Sequence, residues 1–443
     1  MRSLARKPAL FLSPARWREW SRSKLVGYAL AALGPISVSG AHFLLSFSML
    51  HALDPAEFGR FTFLLIAAQL GWGVWSALFC SPLPIFMTRG VREDWEAGRD
   101  MLLGANLMGA ALMLAVFGAV ALALGAPPVA GVLYAGFGAL SLIRWFMRGY
   151  HYFENQQIRV VVSDVFYGTS VVSVTALLHF GLGVDPERTC FVGLLIGALA
   201  GLAPFAEALW LSVSSISDFA FVRRYRQVWR DQSRWALLGA ITTEATGNAH
   251  VYIVTLVLGP AAFSPLAAAA LLLRPLGVVQ LAFADFERPR LARLVASGMK
   301  REIRQSLMHF QGALGLVWLA TAVGAGLMFY FNGASLFFPP KYDLHTLRVA
   351  TILWLLVAAV RSLQVPPSTV LGVLGEFKRL ALASVWSSVV SVASVGAIVF
   401  AFDPVWSIFG LCIGLSLFLI ITIGIYNDSM VNKLKINKGH RQL

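Results

Sequence analysis

An arginine stands inside one of the most apolar stretches of this 443-residue chain: Arg274, in "AAAALLLRPLGVVQLAF" (267–283), with Pro275 directly behind it. A charged side chain at the centre of a bilayer costs at least ~2.5–3.5 kcal/mol on insertion scales, so lipid contact is a poor home for it. It needs a carboxylate on another helix, a set of backbone carbonyls, an anion from outside the chain, or a route for its head to snorkel to the interface. Arg361, in "WLLVAAVRSLQV" (354–365), poses the same question. The two lie about twelve and fifteen residues into their predicted spans, or ~18 and ~22 Å at the helical rise. A guanidinium stays protonated in poor solvent, and its fork grips phosphate or carboxylate oxygens in pairs. Anion binding at bilayer depth is the chemistry these residues offer.

A carboxylate lies at comparable depth. Glu244, in "AITTEATGNAH" (240–250), is flanked by Thr242, Thr243, Thr246 and Asn248. An intramembrane carboxylate among hydroxyls is a functional candidate by default, as a proton or cation site or as the partner of Arg274, and the partner role is slightly favoured. Glu207, near the end of the sixth span, has a weaker claim, since a helix-end carboxylate facing water accounts for it. His42 and His250 can hydrogen-bond a polar ligand or titrate near neutral pH, and also suit polar packing between helices. Arg144, beside "RWFMRGYHY", is placed either to meet a substrate at entry or to anchor its helix end. Asp164, five residues after Arg159, stands where a helix N-terminus favours a carboxylate.

These residues need long membrane helices to position them. With 58% hydrophobic and only 13% charged residues, the chain has too little polar surface for water-soluble domains of this length. Spans long enough for a core of about 30 Å are predicted at 25–50, 59–84, 101–124, 128–147, 162–182, 189–213, 234–257, 262–284, 308–331, 346–368, 380–402 and 404–427, twelve in all. The net charge of +14 follows the membrane. With the N-terminus in the cytoplasm, the seven cytoplasmic segments hold 30 of the 36 Lys and Arg, and the external loops hold Arg60, Arg188, Lys341 and Arg348. That asymmetry places both termini in the cytoplasm and makes nucleic acid an unneeded partner. The stretch "MRSLARKPALFLSPARWREWSRSK" has too short an apolar run for a signal peptide and reads as an interfacial helix or tail on the anionic leaflet.

The spans divide into two halves with one pattern. "LDPAEFGRFTFLLIAAQL" (53–70) stands against "LGPAAFSPLAAAALLLRPL" (258–276), and "GAHFLLSFSML" (40–50) against "NAHVYIVTLVL" (248–258), which places His42 and His250 at equivalent points. "RVVVSDVFYGTSVVSVTALLHF" (159–180) and "RLALASVWSSVVSVASVGAIVF" (379–400) run equally long from Arg to Phe. Both halves start on the same side, so the repeat is parallel, about an axis along the membrane normal. The expected division is a basic segment 1–24, a first lobe 25–213, a basic linker 214–233, a second lobe 234–427 and a basic tail 428–443. Paired six-helix bundles of this kind enclose a central cavity and rock to open it to either side.

The two hairpin motifs above, with "RGYHYFENQQIRVVVSDVFYG" (148–168) and "PPSTVLGVLGEFKRLALASV" (366–385), resemble the polysaccharide-transporter branch of the multidrug/oligosaccharidyl-lipid/polysaccharide (MOP) flippase superfamily, the Wzx-like O-antigen and exopolysaccharide flippases. The resemblance implies an all-α polytopic, MATE-like fold of twelve to fourteen helices. It implies alternating-access movement of a lipid-diphosphate-linked oligosaccharide from the inner to the outer leaflet of a bacterial inner membrane. Arg274 and Arg361 would then bind the diphosphate, with Arg144, His42 and His250 as further substrate contacts and Glu244 or Glu207 coupling or balancing charge. A polysaccharide polymerase and a chain-length regulator would be partners. The multidrug-extrusion relatives often carry an acidic cation site in the first helix, whereas residues 25–50 contain no Asp or Glu.

Other chemistry finds little support. Cys80, Cys190 and Cys412 are far apart and lie in or beside apolar segments, without metal-ligand or disulfide spacing. No phosphate-binding G-x-x-x-x-G-K-[ST] motif occurs, and no cofactor is expected. His151, Glu154 and Asn155 invite a catalytic reading, since membrane polymerases and ligases also handle lipid-diphosphate sugars. Those enzymes usually need a large loop for chemistry, and the longest external loop, "NGASLFFPPKYDLH" (332–345), has one acid and one histidine. A transporter without a chemical step fits better, with a multidrug/cation antiporter or a polymerase or ligase as alternatives.

Overall fold

The computed structural model describes residues 24–83, 92–154, 156–215, 225–226 and 228–439. The basic N-terminal segment up to residue 23, most of the central linker (216–224 and 227), Asn155 and residues 440–443 lie outside the described residues. The described residues contain twelve long helices: α1 Lys24–Ala52, α2 Pro55–Trp75, α3 Arg92–Ala123, α4 Pro128–Phe153, α5 Gln157–Ala176, α6 Pro186–Leu202, α7 Arg234–Leu258, α8 Pro260–Ser297, α9 Lys300–Tyr330, α10 Leu344–Val373, α11 Phe377–Ala401 and α12 Ser407–Gly439. Among the described residues no strand occurs. Helix is the outcome that lipid imposes, because only a helix or a closed barrel satisfies every backbone N–H and C=O internally. Turns of π-helix extend α2 at Ser76–Cys80 and α5 at Leu177–Gly181, and α6 continues through Ala203–Phe205 into Ala206–Ser215.

Sequence punctuation sets the helix starts. Pro55, Pro128, Pro186 and Pro260 occupy first helical positions, where the missing N–H is no loss. Asp54 closes a capping box with Glu57, while Asp185 and Asp343 accept from the N–H groups of Arg188 and Thr346. Between α7 and α8 the turn is the single residue Gly259 at φ +87, a conformation that favours glycine. The short junctions α1–α2, α3–α4, α5–α6, α7–α8 and α11–α12 lie on one face, here the hairpin face. The opposite face carries most of the Lys and Arg and is the basic face.

Eleven of these helices are long and apolar enough to cross a membrane. Of the twelve predicted spans, α7 is the one that falls short in composition. It is 25 residues long, yet Thr242, Thr243, Glu244, Thr246, Asn248 and His250 make it too polar. It is nonetheless enclosed by α8, α11, α12 and α2, which is where a polar helix at membrane depth must sit.

The packing repeats between halves. In the first lobe α5 packs on α1 and α6, and α4 packs on α2, α3 and α6; in the second α11 packs on α7 and α12, and α10 on α8, α9 and α12. The lobes meet mainly where α2 lies against α8, with α1 against α8 and α2 against α7 as equivalent flanking contacts. The first lobe is filled by aromatics, Phe61, Tyr134, Phe137 and Phe191 among them. The second relies on small residues: Ser384, Ser387, Ser388 and Ser391 form a buried stripe on α11, and Ser387 donates to the Gly414 carbonyl at 2.6 Å. Such stripes let membrane helices approach closely where no hydrophobic effect drives them together.

Candidate functional site

Between the lobes lies a cavity of about 660 Å³, lined by α1, α2, α7, α8 and α10. It contains Arg274 and Arg361 together with His42, Ser46, Asn248 and His250. Five helices from both halves thus bring the two deep arginines and the two matched histidines to one place.

Arg274 reaches across the lobe boundary. Its Nη1 donates to the His42 carbonyl oxygen and to the Ser46 hydroxyl, each at 3.1 Å. Arg361 donates from Nη2 to the Gly247 carbonyl at 3.4 Å. Among the described residues neither guanidinium forms an ion pair. Most of the ten donors on the two forks are therefore left for something else.

Glu244 does not meet Arg274. Its Oε1 accepts from Asn248 Nδ2 at 2.9 Å and from the Tyr252 hydroxyl at 2.6 Å, both on α7 itself. The reason is helical spacing: positions 244, 248 and 252 run along one face, so the carboxylate finds donors on its own helix. Tyr252 in turn packs edge-on against Phe63 of the first lobe. The cavity lining holds the two arginines and no carboxylate, and Glu244 stands close enough to Arg361 to act on it electrostatically.

Arg144 belongs to a different site. It is buried inside the first lobe in an ion pair with Asp164, whose second oxygen accepts from Arg148 Nη2 at 2.9 Å. Arg144 Nε donates to Ser163 Oγ at 3.1 Å, and its guanidinium lies 4.3 Å over the Tyr167 ring. Space for the pair is cut by glycines, since a Cβ on Gly201 would approach Arg144 Nε to 2.6 Å and one on Gly34 would meet the Asp164 carboxylate. Arg144 is thus neither an entry contact nor a helix-end anchor in this structure, and Asp164 serves two guanidinium groups more than a helix N-terminus. Glu207 is largely exposed and lies 3.5 Å from Arg159, away from the cavity.

The two histidines differ. His42 Nε2 hydrogen-bonds the Tyr167 hydroxyl at 2.6 Å, and its ring stacks on Trp72, which stacks on Trp145. His250 packs against Phe263 and Trp354, and its buried Nδ1 has no hydrogen-bond partner among the described residues. Residue 387 of α11, at the repeat position of Tyr167, is a serine turned to Gly414. Tyr252, Ser46 and Trp354 escaped sequence reasoning; the four-residue spacings 42/46 and 244/248/252 were the signals available. His151 is buried and bonds the Met147 carbonyl, which leaves no catalytic grouping with Glu154. Among the described residues no group of His, Cys, Asp or Glu could hold a metal ion.

The hairpin end of the lobe interface is closed. Lys341, in the loop between α9 and α10, donates from Nζ to the carbonyls of His51 (3.2 Å) and Leu53 at the end of α1. Burial lowers the pKa of that ammonium, against the opposing pull of Asp54 and Glu57. The Tyr342 hydroxyl bonds Ser264 Oγ at 2.7 Å, and burial raises its pKa. Gly59 of α2 packs so tightly on the Pro260 backbone that a Cβ there would collide with it. Gly59 and Ser264 are repeat equivalents in sequence, yet they meet different partners, Pro260 and Tyr342.

No protein-family model matches the sequence, and no curated protein matches it significantly. Solved structures do. The chain is similar to a protein described as an inward-facing multidrug resistance MATE family transporter of the MOP superfamily, at 14% identity and TM-score 0.61 over 92% of this chain and 94% of that one. A MATE in the straight conformation aligns at 14% identity and TM-score 0.57 over 92% and 95%. An outward-facing MATE family transporter aligns at 14% identity and TM-score 0.55 over the same shares. The fold of this chain is accordingly the two-lobed helical fold of the MATE transporters of the MOP superfamily.

Proposed function

We propose that the chain is a transporter that moves a lipid-diphosphate-linked oligosaccharide from the inner to the outer leaflet by alternating access. The observation that carries this reading is the pair Arg274 and Arg361, two guanidinium groups that face one cavity at the lobe boundary, neither of them in an ion pair among the described residues. Two cations at that depth, with Glu244 acting on Arg361 alone, are costly unless an anionic ligand shares the site. The diphosphate would bridge the two forks, and the sugars would occupy the rest of the cavity against Asn248, His250 and Trp354. Orientation follows from the positive-inside rule, with the basic face and both termini in the cytoplasm. The expected lobes are 25–213 and 234–427, joined by the basic linker 214–233. The membrane would be a bacterial inner membrane, and a polymerase and chain-length regulator would act on the exported units.

The test is to delete the gene in its host, extract lipid-linked oligosaccharides and determine their leaflet. Complete units trapped on the cytoplasmic face support the reading. Units that reach the outer face but stay unpolymerised overturn it in favour of a polymerase or ligase.

A second reading, multidrug/cation antiport, is favoured by the structural neighbours and by Glu244, which has donors from Asn248 and Tyr252 beside Arg361. Uptake of a lipophilic cation into inverted vesicles, driven by an imposed proton or sodium gradient, would support it over lipid flipping.

A further inference from the structure

A second cavity, of about 570 Å³, lies on the other side of α1 from the central one. Its walls are Leu44, Leu45 and Phe47 of α1, Val172 and Ala176 of α5, and Phe180 of the π turn that follows. The short helix Ala334–Phe337 of the second lobe closes its hairpin end, with Leu336 in the wall and Phe337 packed on Phe47 at 5.1 Å. From Ala52 at the hairpin end to Leu44 is eight residues, about 12 Å of helix. That depth is close to one leaflet of a hydrocarbon core of about 30 Å. Leu44, Phe180 and Leu336 are exposed, so the crevice opens toward lipid.

Its rim is polar, and one ammonium, that of Lys341, stands beside it within electrostatic reach of Asp54 and Glu57. His51 and His179 line it at the hairpin ends of α1 and α5. His51 Nδ1 bonds the Phe47 carbonyl at 3.0 Å, which leaves Nε2 for a ligand. Lys341 Nζ stands on the His51 carbonyl. An apolar slot one leaflet deep, with two imidazoles at its rim and an ammonium bonded to the backbone of one of them, complements a long hydrocarbon chain that ends in a phosphate. The opposite face of α1 carries His42 and Ser46 into the central cavity, so one helix separates the polar site from the apolar one.

We propose that this crevice is the landing site for the lipid portion of the transported substrate in the hairpin-face leaflet: it takes the prenyl chain, and His51, His179 and Lys341 hold the phosphate at the rim. The proposal rests on the flippase reading above. Lipid tails surround the protein everywhere and supply no hydrophobic drive into the slot. Selection therefore comes from the rim charge and from the flat aromatic faces of Phe47, Phe180 and the imidazoles against planar isoprene units. Because Phe337 comes from the second lobe, lobe movement reshapes the slot, and an occupied slot would report which way the transporter has rocked.

The experiment uses the full-length protein in nanodiscs of zwitterionic phospholipid with two photoprobes, a prenyl phosphate and a phosphatidylglycerol, each carrying a diazirine near its chain end. The expected result is prenyl-probe labelling of the α1 and α5 segments 44–52 and 172–180, competed by unlabelled prenyl phosphate and not by phosphatidylglycerol. Ala176→Trp should lower it at least tenfold, and His51→Ala with His179→Ala several-fold. Equal labelling by the phosphatidylglycerol probe would make the crevice an ordinary lipid contact and overturn the proposal, as would labelling unaffected by Ala176→Trp. To separate this from failure of the flippase reading, a tailless sugar diphosphate is tested for protection of a cysteine at Thr62 in the central cavity. Protection without crevice labelling overturns the landing site alone, whereas neither signal overturns both.

Discussion

Arg274 of the second lobe is hydrogen-bonded through Nη1 to the His42 carbonyl and the Ser46 hydroxyl of the first, so one of the two cations of the cavity also bridges the lobes. A ligand anion that takes hold of this fork would compete with the bridge, which links binding to lobe separation. Arg274→Ala should abolish export while leaving membrane insertion and folding intact, as read by leaflet analysis of lipid-linked oligosaccharides beside an immunoblot of the membrane fraction. Arg274→Lys keeps the charge but loses the fork. With hydrogen bonds to charged groups worth about 1.5–3 kcal/mol, its export should fall about 10- to 150-fold. Normal export by the alanine variant would remove Arg274 from the substrate site.

Lys341 is the second bridge, and it spans the hairpin face. Lys341→Met keeps the length and removes the donors to the end of α1. Opening of that face should become about 10- to 150-fold easier on the same energetic scale. A cysteine at Thr62, in a protein whose Cys80, Cys190 and Cys412 are replaced, should then react faster with an impermeant thiol reagent applied from the hairpin side. An unchanged rate would mean that Gly59 against Pro260 and Tyr342 with Ser264 close the face without Lys341.

The pH dependence of that closure has a definite sign. Burial holds the Lys341 ammonium below its ordinary pKa in the closed form, and opening would return it to water. The open form therefore binds more protons, and closure strengthens as pH rises through the window between the lowered and ordinary values. Thiol labelling at residue 62, corrected by the Lys341→Met background, should slow across that window. Acceleration would show that the neutral amine cannot hold the carbonyls of His51 and Leu53.

The buried pair Arg144 and Asp164 is expected to act on stability. Removing one partner of such a pair costs about 3–5 kcal/mol. Asp164→Asn should cost in that range, because it leaves Arg144 and Arg148 facing each other. The double variant Arg144→Met with Asp164→Leu should be less destabilised than the sum of the singles, in thermal unfolding of detergent-purified protein. Additive losses would mean the two side chains act independently.

The fold was legible because membrane physics writes it in large letters. Long apolar runs gave the twelve spans, and the distribution of Lys and Arg among the loops gave their two faces. The site was legible only in part. Depth along a helix can be counted from its ends, which found Arg274, Arg361 and Glu244. Direction around the helix and distance between helices cannot be counted that way. Arg144 thus read as an entry contact or a helix-end anchor, whereas Asp164, with glycines at 34 and 201 clearing the space, holds it inside the lobe. Of the two roles open to Glu244, a proton or cation site and the partner of Arg274, charge slightly favoured the second, although Asn248 and Tyr252, one and two turns along the same helix, are its donors. Lys341 went unnoticed because nothing local ties an external loop to the end of α1, nearly three hundred residues earlier.

Glu244 separates the two transport readings. Glu244→Gln keeps an oxygen to accept from Tyr252 and Asn248 and removes only the negative charge beside Arg361. In a flippase the cavity then becomes more positive, and a sugar diphosphate should bind more tightly, by about tenfold for each ~1.4 kcal/mol of attraction no longer offset. Export persists, with any dependence on a proton gradient lost. In a cation antiporter the same substitution removes the group that exchanges cation for substrate, so gradient-driven efflux of lipophilic cations should stop and anion binding would be irrelevant. Isothermal titration with a tailless sugar diphosphate, run beside vesicle efflux, reads both. Tighter binding with export retained keeps Glu244 as a tuner of Arg361, whereas abolished cation efflux makes it the coupling site and moves the chain to the antiporter class.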